Sequence, residues 1–192
     1  QKDLQRFAQS MKEFNTVAPI GSIFESSFRK DDAGILASKD DVLVEFVAFC
    51  VNPNHYHFIL RQVAENGISK FMHRLGTGYT KYFNAKHARS GTLFQGKFKA
   101  KHVHSSEYLL YLSAYVNFNY KIHQLGSRAS KYVLSSEKVY VDGVDTFVPV
   151  NADLVLADFD SAHAYKSFAD GVVKNSIVGK GLLHDNSEKL FD

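Results

Sequence analysis

Two histidines flank a tyrosine in NPNHYHFIL, residues 52–60, and apolar residues follow at once. Side chains two apart on an extended strand project to the same face, so His55 and His57 can aim both imidazoles at one ion with Tyr56 packed behind them. Taken alone, such a pair more often faces water or forms a structural hydrogen-bonding pair. For chemistry it needs a third ligand and a task.

The stretch SEYLLYLSAYVNFNYKIH, residues 106–123, offers both. At about 100° per residue, Tyr108, Tyr111, Tyr115 and Asn119 share a helical stripe, and Tyr115 and Asn119 stand one turn apart. A phenol, with a pKa of about 10, attacks a phosphodiester well once its proton is removed or a metal makes the phosphorus more electrophilic. An amide oxygen from Asn119 is a hard ligand, and beside two imidazoles it makes a mixed nitrogen and oxygen site that tolerates Mg²⁺ or Mn²⁺. The competing reading is a tyrosine stripe that packs a core with its hydroxyls reaching solvent.

Other chemistries find little support. The sequence holds no Gly-rich phosphate loop of the P-loop type, no G-x-S-x-G elbow and no C-x-x-C. The one cysteine, Cys50, sits in the apolar run LVEFVAFCV and reads as a buried small hydrophobe of a reducing compartment. No signal-peptide pattern and no apolar run approaching about 18 residues is present, so a cytoplasmic protein is expected. His73, His87, His102, His104 and His123 lie in or beside a basic window, where a phosphate-facing or exposed position is expected of them rather than a ligand's.

From Asn66 to Ser106 there is no Asp or Glu, while Lys70, Arg74, Lys81, Lys86, Arg89, Lys97, Lys99 and Lys101 fall there. The whole chain carries only +3, so the remainder is net acidic. A basic region interleaved with Phe and Tyr suits a polyanion whose bases can stack, such as single-stranded nucleic acid. The bland counterpart is a solvated basic helix and hairpin.

The elements that must position these residues follow from periodicity. Leu4, Phe7, Met11 and Phe14 predict an amphipathic helix over 1–15, and residues 17–34 read as a connection with a short extended piece at Ile23–Phe28. Residues 35–40 start a helical turn or continue the loop. The charge-poor run Val42–Val51 predicts a strand buried on both faces, NPN a turn, and 55–61 the second arm of an antiparallel hairpin. Phe71, Met72, Leu75, Tyr79, Tyr82 and Phe83 predict a helix over 69–84, in which Gly76 and Gly78 lower the propensity or admit another backbone. TLFQGKFKAKHVH alternates, which predicts a strand offering Gln95, Lys97, Lys99 and Lys101 on one face. A helix capped by Ser105 or Ser106 runs to about 123, YVDGVD signals a hairpin turn, 151–180 hold one or two shorter helices, and 181–192 form a frayed tail.

NPNHYHFIL, GYTKYFNAKHARSGTLFQGKFKAKHV and EYLLYLSAYVNFNYKIHQLG together resemble the single-tyrosine HUH transposases of the IS200/IS605 kind, and most closely the REP-associated tyrosine transposases. The resemblance runs from about 42 to 126. It implies an α/β (α+β) fold, a ferredoxin-like or RRM-like antiparallel sheet with helices packed on one face. It also implies a single-tyrosine domain over 1–126, with a C-terminal extension over 127–192. The implied activity is metal-dependent nicking and joining of single-stranded DNA beside hairpins through a 5′-phosphotyrosine. His55 and His57 then become metal ligands, Tyr115 the nucleophile and Asn119 the third ligand. Arg74, Lys81, Arg89, Lys97, Lys99 and Lys101 become DNA-binding residues, and the protein acts as a monomer or homodimer without a membrane.

Members of that family usually open with a strand and a short R-G turn, so the usual first strand is expected to be missing from a chain that starts at its first helix. Their tyrosine helix often reads Y-x-x-x-N-P. Here Tyr120 follows Asn119, and the helix is expected to continue through it. The alternative to catalysis is a domesticated or truncated module that grips nucleic-acid hairpins without cutting them.

Overall fold

A computed structural model describes residues 1–25 and 41–183. The elements along them are α1 (Lys2–Glu13), β1 (Val44–Val51), β2 (Tyr56–Gln62), α2 (Gly67–Lys86), α3 (Ser106–Asn117), α4 (Asn119–Ile122), α5 (Ser127–Ser130), β3 (Leu134–Ser135), α6 (Glu137–Asp142), α7 (Asp153–Leu156) and α8 (Ala162–Leu183). The strands form one open antiparallel sheet in the order β2-β1-β3, flanked by helices, as the α/β reading expected. β1 is central, which accounts for its composition: every residue but Glu45 is buried, so a Val- and Phe-rich run without alternation is what the position demands. β3 pairs antiparallel with the end of β1, Cys50 opposite Ser135 and Val51 opposite Leu134.

The chain divides into two compact units, and β1 and β2 each pass from one to the other. Of the described residues, the first comprises 1–25, 41–46, 60–102 and 147–149. Its core joins Phe7, Met11 and Phe14 of the first helix region to Leu43, Phe46, Phe71, Leu75 and Tyr79. Phe7 meets Tyr79 edge-on at 4.8 Å, and Phe46 meets Phe71 in the same way at 5.4 Å. Gly78 is required by this packing, since a Cβ there would lie 2.4 Å from the Phe14 ring, whereas nothing lies within 4 Å of one at Gly76. Asn15 acts as a short extension of the sheet: its Oδ1 accepts from the Leu43 and Val44 N–H groups and its Nδ2 donates to Val44 O.

Of the described residues, the second unit comprises 47–59, 103–146 and 150–183. Its core gathers Val47, Ala48, Cys50 and Ile59 with Ala114, Val116, Phe118, Tyr140, Val155, Tyr165 and Ala169. Two tyrosines at its centre are fully buried, with rings 4.8 Å apart, and each hydroxyl has a partner: Tyr140 donates to Val47 O, and Tyr165 accepts from Asn117. Burial pushes the Tyr165 phenol up to about 12 and that of Tyr140 higher still.

Several sequence expectations need correction. TLFQGKFKAKHVH is not a strand: Gly96 sits at φ +79 in the left-handed region, and none of residues 92–105 joins the sheet. YVDGVD is not a hairpin turn. It ends α6, with Gly143 at φ +64 closing the helix through an N–H bond to Lys138 O, a role that asks for the same left-handed glycine as a turn. Residues 151–180 do hold two helices, but the second is long and runs from Ala162 to Leu183. Ile23–Glu25 is helical rather than extended, started by Ser22 and Glu25, each accepting the other's backbone N–H. The readings for residues 26–40 and 184–192 fall outside the described residues.

Candidate active site

The turn between β1 and β2 builds the histidine side of the site. It closes through Asn52 N–H to His55 O at 2.8 Å, which sets His55 at the foot of β2 and His57 two residues on, with ring centroids 5.2 Å apart. Both asparagines of NPN, read from sequence only as turn formers, act on His55. Asn54 Oδ1 lies 2.7 Å from His55 Nδ1. A carboxamide oxygen only accepts, so Nδ1 carries the proton and Nε2 keeps its lone pair. The buried Asn52 donates from Nδ2 to that Nε2 at 2.9 Å and to Asn119 Oδ1 at 2.8 Å. These two acceptors are 3.2 Å apart, so their lone pairs converge on one electropositive group.

The tyrosine side comes from α3 and α4. Ser105 caps α3, its Oγ accepting from Tyr108 N–H at 3.2 Å. The helix does not run straight on to 123. It is interrupted at Phe118, φ −106 and ψ 17, one residue before Asn119, although no proline is present. The one-turn register survives the interruption, because Phe118 N–H bonds Ala114 O, Ile122 N–H bonds Phe118 O and His123 N–H bonds Asn119 O. Tyr115, Asn119 and His123 therefore follow one another turn by turn. Tyr115 is half-buried, its ring 6.1 Å from that of His57 and stacked on Tyr111 at 6.3 Å. Burial raises the phenol above its ordinary pKa, Tyr111 adds to the rise, and the Asn119 amide opposes it.

Beneath these residues a buried network ties helix to strand. Ser136 Oγ donates to Asn117 Oδ1 at 2.5 Å and accepts from Phe49 N–H at 2.9 Å, while Asn117 Nδ2 donates to the Tyr165 hydroxyl at 2.8 Å. Asn117 stands between Tyr115 and Asn119, so this network braces the helix turn that carries them against β1. Losing one partner of such a buried set costs about 1–3 kcal/mol.

His123 was expected to face phosphate or solvent. It is exposed and it also joins the histidine pair: one ligand nitrogen from each of His55, His57 and His123 lies within 4.8 Å of the others, and its ring centroid is 4.7 Å from that of His55. Carrying the helical register one turn past Asn119 would have placed it there. The cluster suits a divalent cation. Its donors are imidazoles and an amide oxygen, with Asn52 already directing an N–H group at two of them. The Asn119 amide is fully buried, and its Nδ2 has no hydrogen-bond partner. It gives up that bond to present its oxygen beside His55, an orientation that favours a positive guest.

Residues 24–119, half of the 192-residue chain, match the model of the family described as Transposase IS200 like. The chain belongs to that family. Family and imidazole cluster together make this IS200-like transposase an HUH-type enzyme of DNA nicking and strand transfer, acting on single-stranded DNA. No curated protein and no solved structure matches the chain.

The transposase's expected DNA-binding residues lie in the first unit. Lys81 is exposed on α2, Lys97, Lys99 and Lys101 are exposed in the irregular segment 92–105, and the Arg89 guanidinium lies 5.7 Å over the Phe83 ring. Arg74 spends its guanidinium on the Thr16 and Val17 carbonyls. Among the described residues, no helix is long and apolar enough to cross a membrane.

Proposed function

We propose that the protein cuts single-stranded DNA beside a hairpin and rejoins it, with Tyr115 as nucleophile and with His55, His57 and Asn119 holding a divalent cation, Mg²⁺ or Mn²⁺. One observation carries this reading: the half-buried Tyr115 ring lies 6.1 Å from the His57 ring, one helical turn before an amide oxygen that is 3.2 Å from His55 Nε2. When bound, the cation supplies positive charge to the non-bridging oxygens of the scissile phosphate.

The chain's own residues do the remaining work. Asn54 fixes the tautomer that leaves His55 Nε2 able to ligate, and the Asn117–Ser136 bond holds the helix turn against β1. Tyr115 Oη attacks phosphorus in line; as the Oη–P bond forms, the bond from phosphorus to the 3′-oxygen breaks. The phenol proton passes to solvent and the departing 3′-oxygen takes one up. Burial holds the resting phenol protonated, and the Asn119 amide offsets part of that cost. One phosphodiester replaces another, so a 3′-OH can attack the phosphotyrosine and reseal a strand without ATP. Lys81, Arg89, Lys97, Lys99 and Lys101 would hold the DNA backbone in a salt-dependent way, and Arg74, whose guanidinium meets the Thr16 and Val17 carbonyls, would add positive charge.

The test is a hairpin-bearing single-stranded oligonucleotide incubated with the protein and Mn²⁺ or Mg²⁺, followed by a search for a denaturant-resistant adduct. Wild type is expected to form it and Tyr115→Phe to lose it. Equal binding by both proteins with no adduct across varied hairpins would leave a non-catalytic hairpin-binding module in its place.

A further inference from the structure

Building on the proposed metal site, the geometry points to His123 as an additional ligand, giving three imidazoles and one amide oxygen, a donor set that selects Mn²⁺ and its later first-row neighbours over Mg²⁺. The observations are independent of the nicking chemistry. One nitrogen from each of His55, His57 and His123 lies within 4.8 Å of the other two, and the His55 and His123 rings are 4.7 Å apart. Imidazoles about 2.1 Å from one ion stand roughly 3 Å from each other, so closure needs a movement of an ångström or two. His123 is exposed at the end of a four-residue helix, so an adjustment of its side chain does not repack the core. His55 and Asn119 are positioned by Asn52 and Asn54.

The preference follows from donor chemistry. Mg²⁺ demands oxygen ligands in near-ideal octahedral geometry and gives up water reluctantly. Imidazole nitrogen suits the borderline transition ions, and affinity for such sites climbs from Mn²⁺ through Co²⁺ to Zn²⁺. Among the described residues, the cluster contains three imidazoles and no carboxylate. Two imidazoles with an amide leave room for either class of ion; a third tips the set toward nitrogen.

Titration calorimetry on the full chain without DNA, with MnCl₂, CoCl₂ and MgCl₂ as probes, tests this. Wild type is expected to bind Mn²⁺ and Co²⁺ at least about tenfold tighter than Mg²⁺. His123→Ala is expected to lose about tenfold toward Mn²⁺ and Co²⁺ while Mg²⁺ binding stays within about threefold. The Co²⁺ visible spectrum gives a second readout, since losing one imidazole changes the ligand field whether or not affinity moves. Circular dichroism shows that the variant is folded. If His123→Ala matches wild type in affinity and spectrum while His55→Ala loses binding, the metal site stands and the role of His123 falls. If wild type binds none of the three ions, this inference falls together with the metal reading beneath it.

Discussion

Each unit gathers histidine and tyrosine at one place, and the two clusters are completed in opposite ways. In the first unit the Asp3 carboxylate accepts from Lys86 Nζ at 2.5 Å and from the Tyr82 hydroxyl at 3.2 Å, and it faces His87 Nε2 at 3.1 Å. Lys86 is the largest influence in holding the Asp3 carboxyl below its ordinary pKa; burial opposes it, and His87 and Tyr82 assist. Charge is matched within the group, so the cluster ties α1 to α2 and asks for nothing further. In the second unit His55, His57, His123, Tyr115 and Asn119 come together with no carboxylate among them, and the lone pairs of His55 and Asn119 converge on a single amide N–H₂. Residue type does not separate a structural cluster from a reactive one. What separates them is that the first pairs a carboxylate with a lysine, whereas the second gathers the lone pairs of His55 and Asn119 on one neutral amide.

The comparison breaks if disturbing one unit's packing disturbs the other's chemistry. Phe7→Ala, which removes a ring from the core of the first unit, is expected to destabilise the protein by about 3–5 kcal/mol in urea denaturation. Mn²⁺ affinity per folded molecule should not change. A parallel loss of affinity would show that the cluster in the second unit depends on this packing. Asn54→Ala sharpens the comparison from the other side. With Nδ1 no longer held by an acceptor, metal affinity should fall by about tenfold or more while stability hardly moves, since Asn54 is exposed.

The smallest effect belongs to the matched cluster. Asp3→Asn should cost under about 1 kcal/mol at neutral pH, as befits a largely solvated ion pair. Because the folded-state pKa of Asp3 is lowered, its contribution is present above the unfolded carboxylate pKa and is lost as pH falls through the folded value. Denaturation of the two proteins across acid pH should therefore converge at the low end. A gap that stays constant through that range would assign the effect to packing rather than charge.

Much of this could be read in the sequence, for physical reasons that differ by region. β1 was legible because a strand buried on both faces must be apolar throughout, and α2 because its apolar residues recur at helical spacing. The convergence of His55, His57, Tyr115 and Asn119 was legible because strand and helix periodicity fix which side chains can meet. The alternation in 92–105 misled: two-residue periodicity says which way side chains would point on a strand, and not whether a neighbouring strand exists to pair with it. Gly143 misled because a left-handed glycine serves a helix end and a hairpin alike. Asn52 and Asn54 were half-read, since one residue type closes a turn and orients an imidazole. His123 is harder to read because its basic neighbourhood suggests phosphate or solvent, whereas its register one turn past Asn119 sets it beside His55.

The most direct measurement of the central claim is peptide mapping of the covalent adduct formed with a hairpin-bearing oligonucleotide and Mn²⁺. After nuclease and protease digestion, mass spectrometry should find a 5′-linked nucleotide on the peptide at Tyr115, with the peptides holding its neighbours Tyr108 and Tyr111 unmodified at those residues. A nucleotide on Tyr111, or an adduct that persists in Tyr115→Phe, would contradict the account.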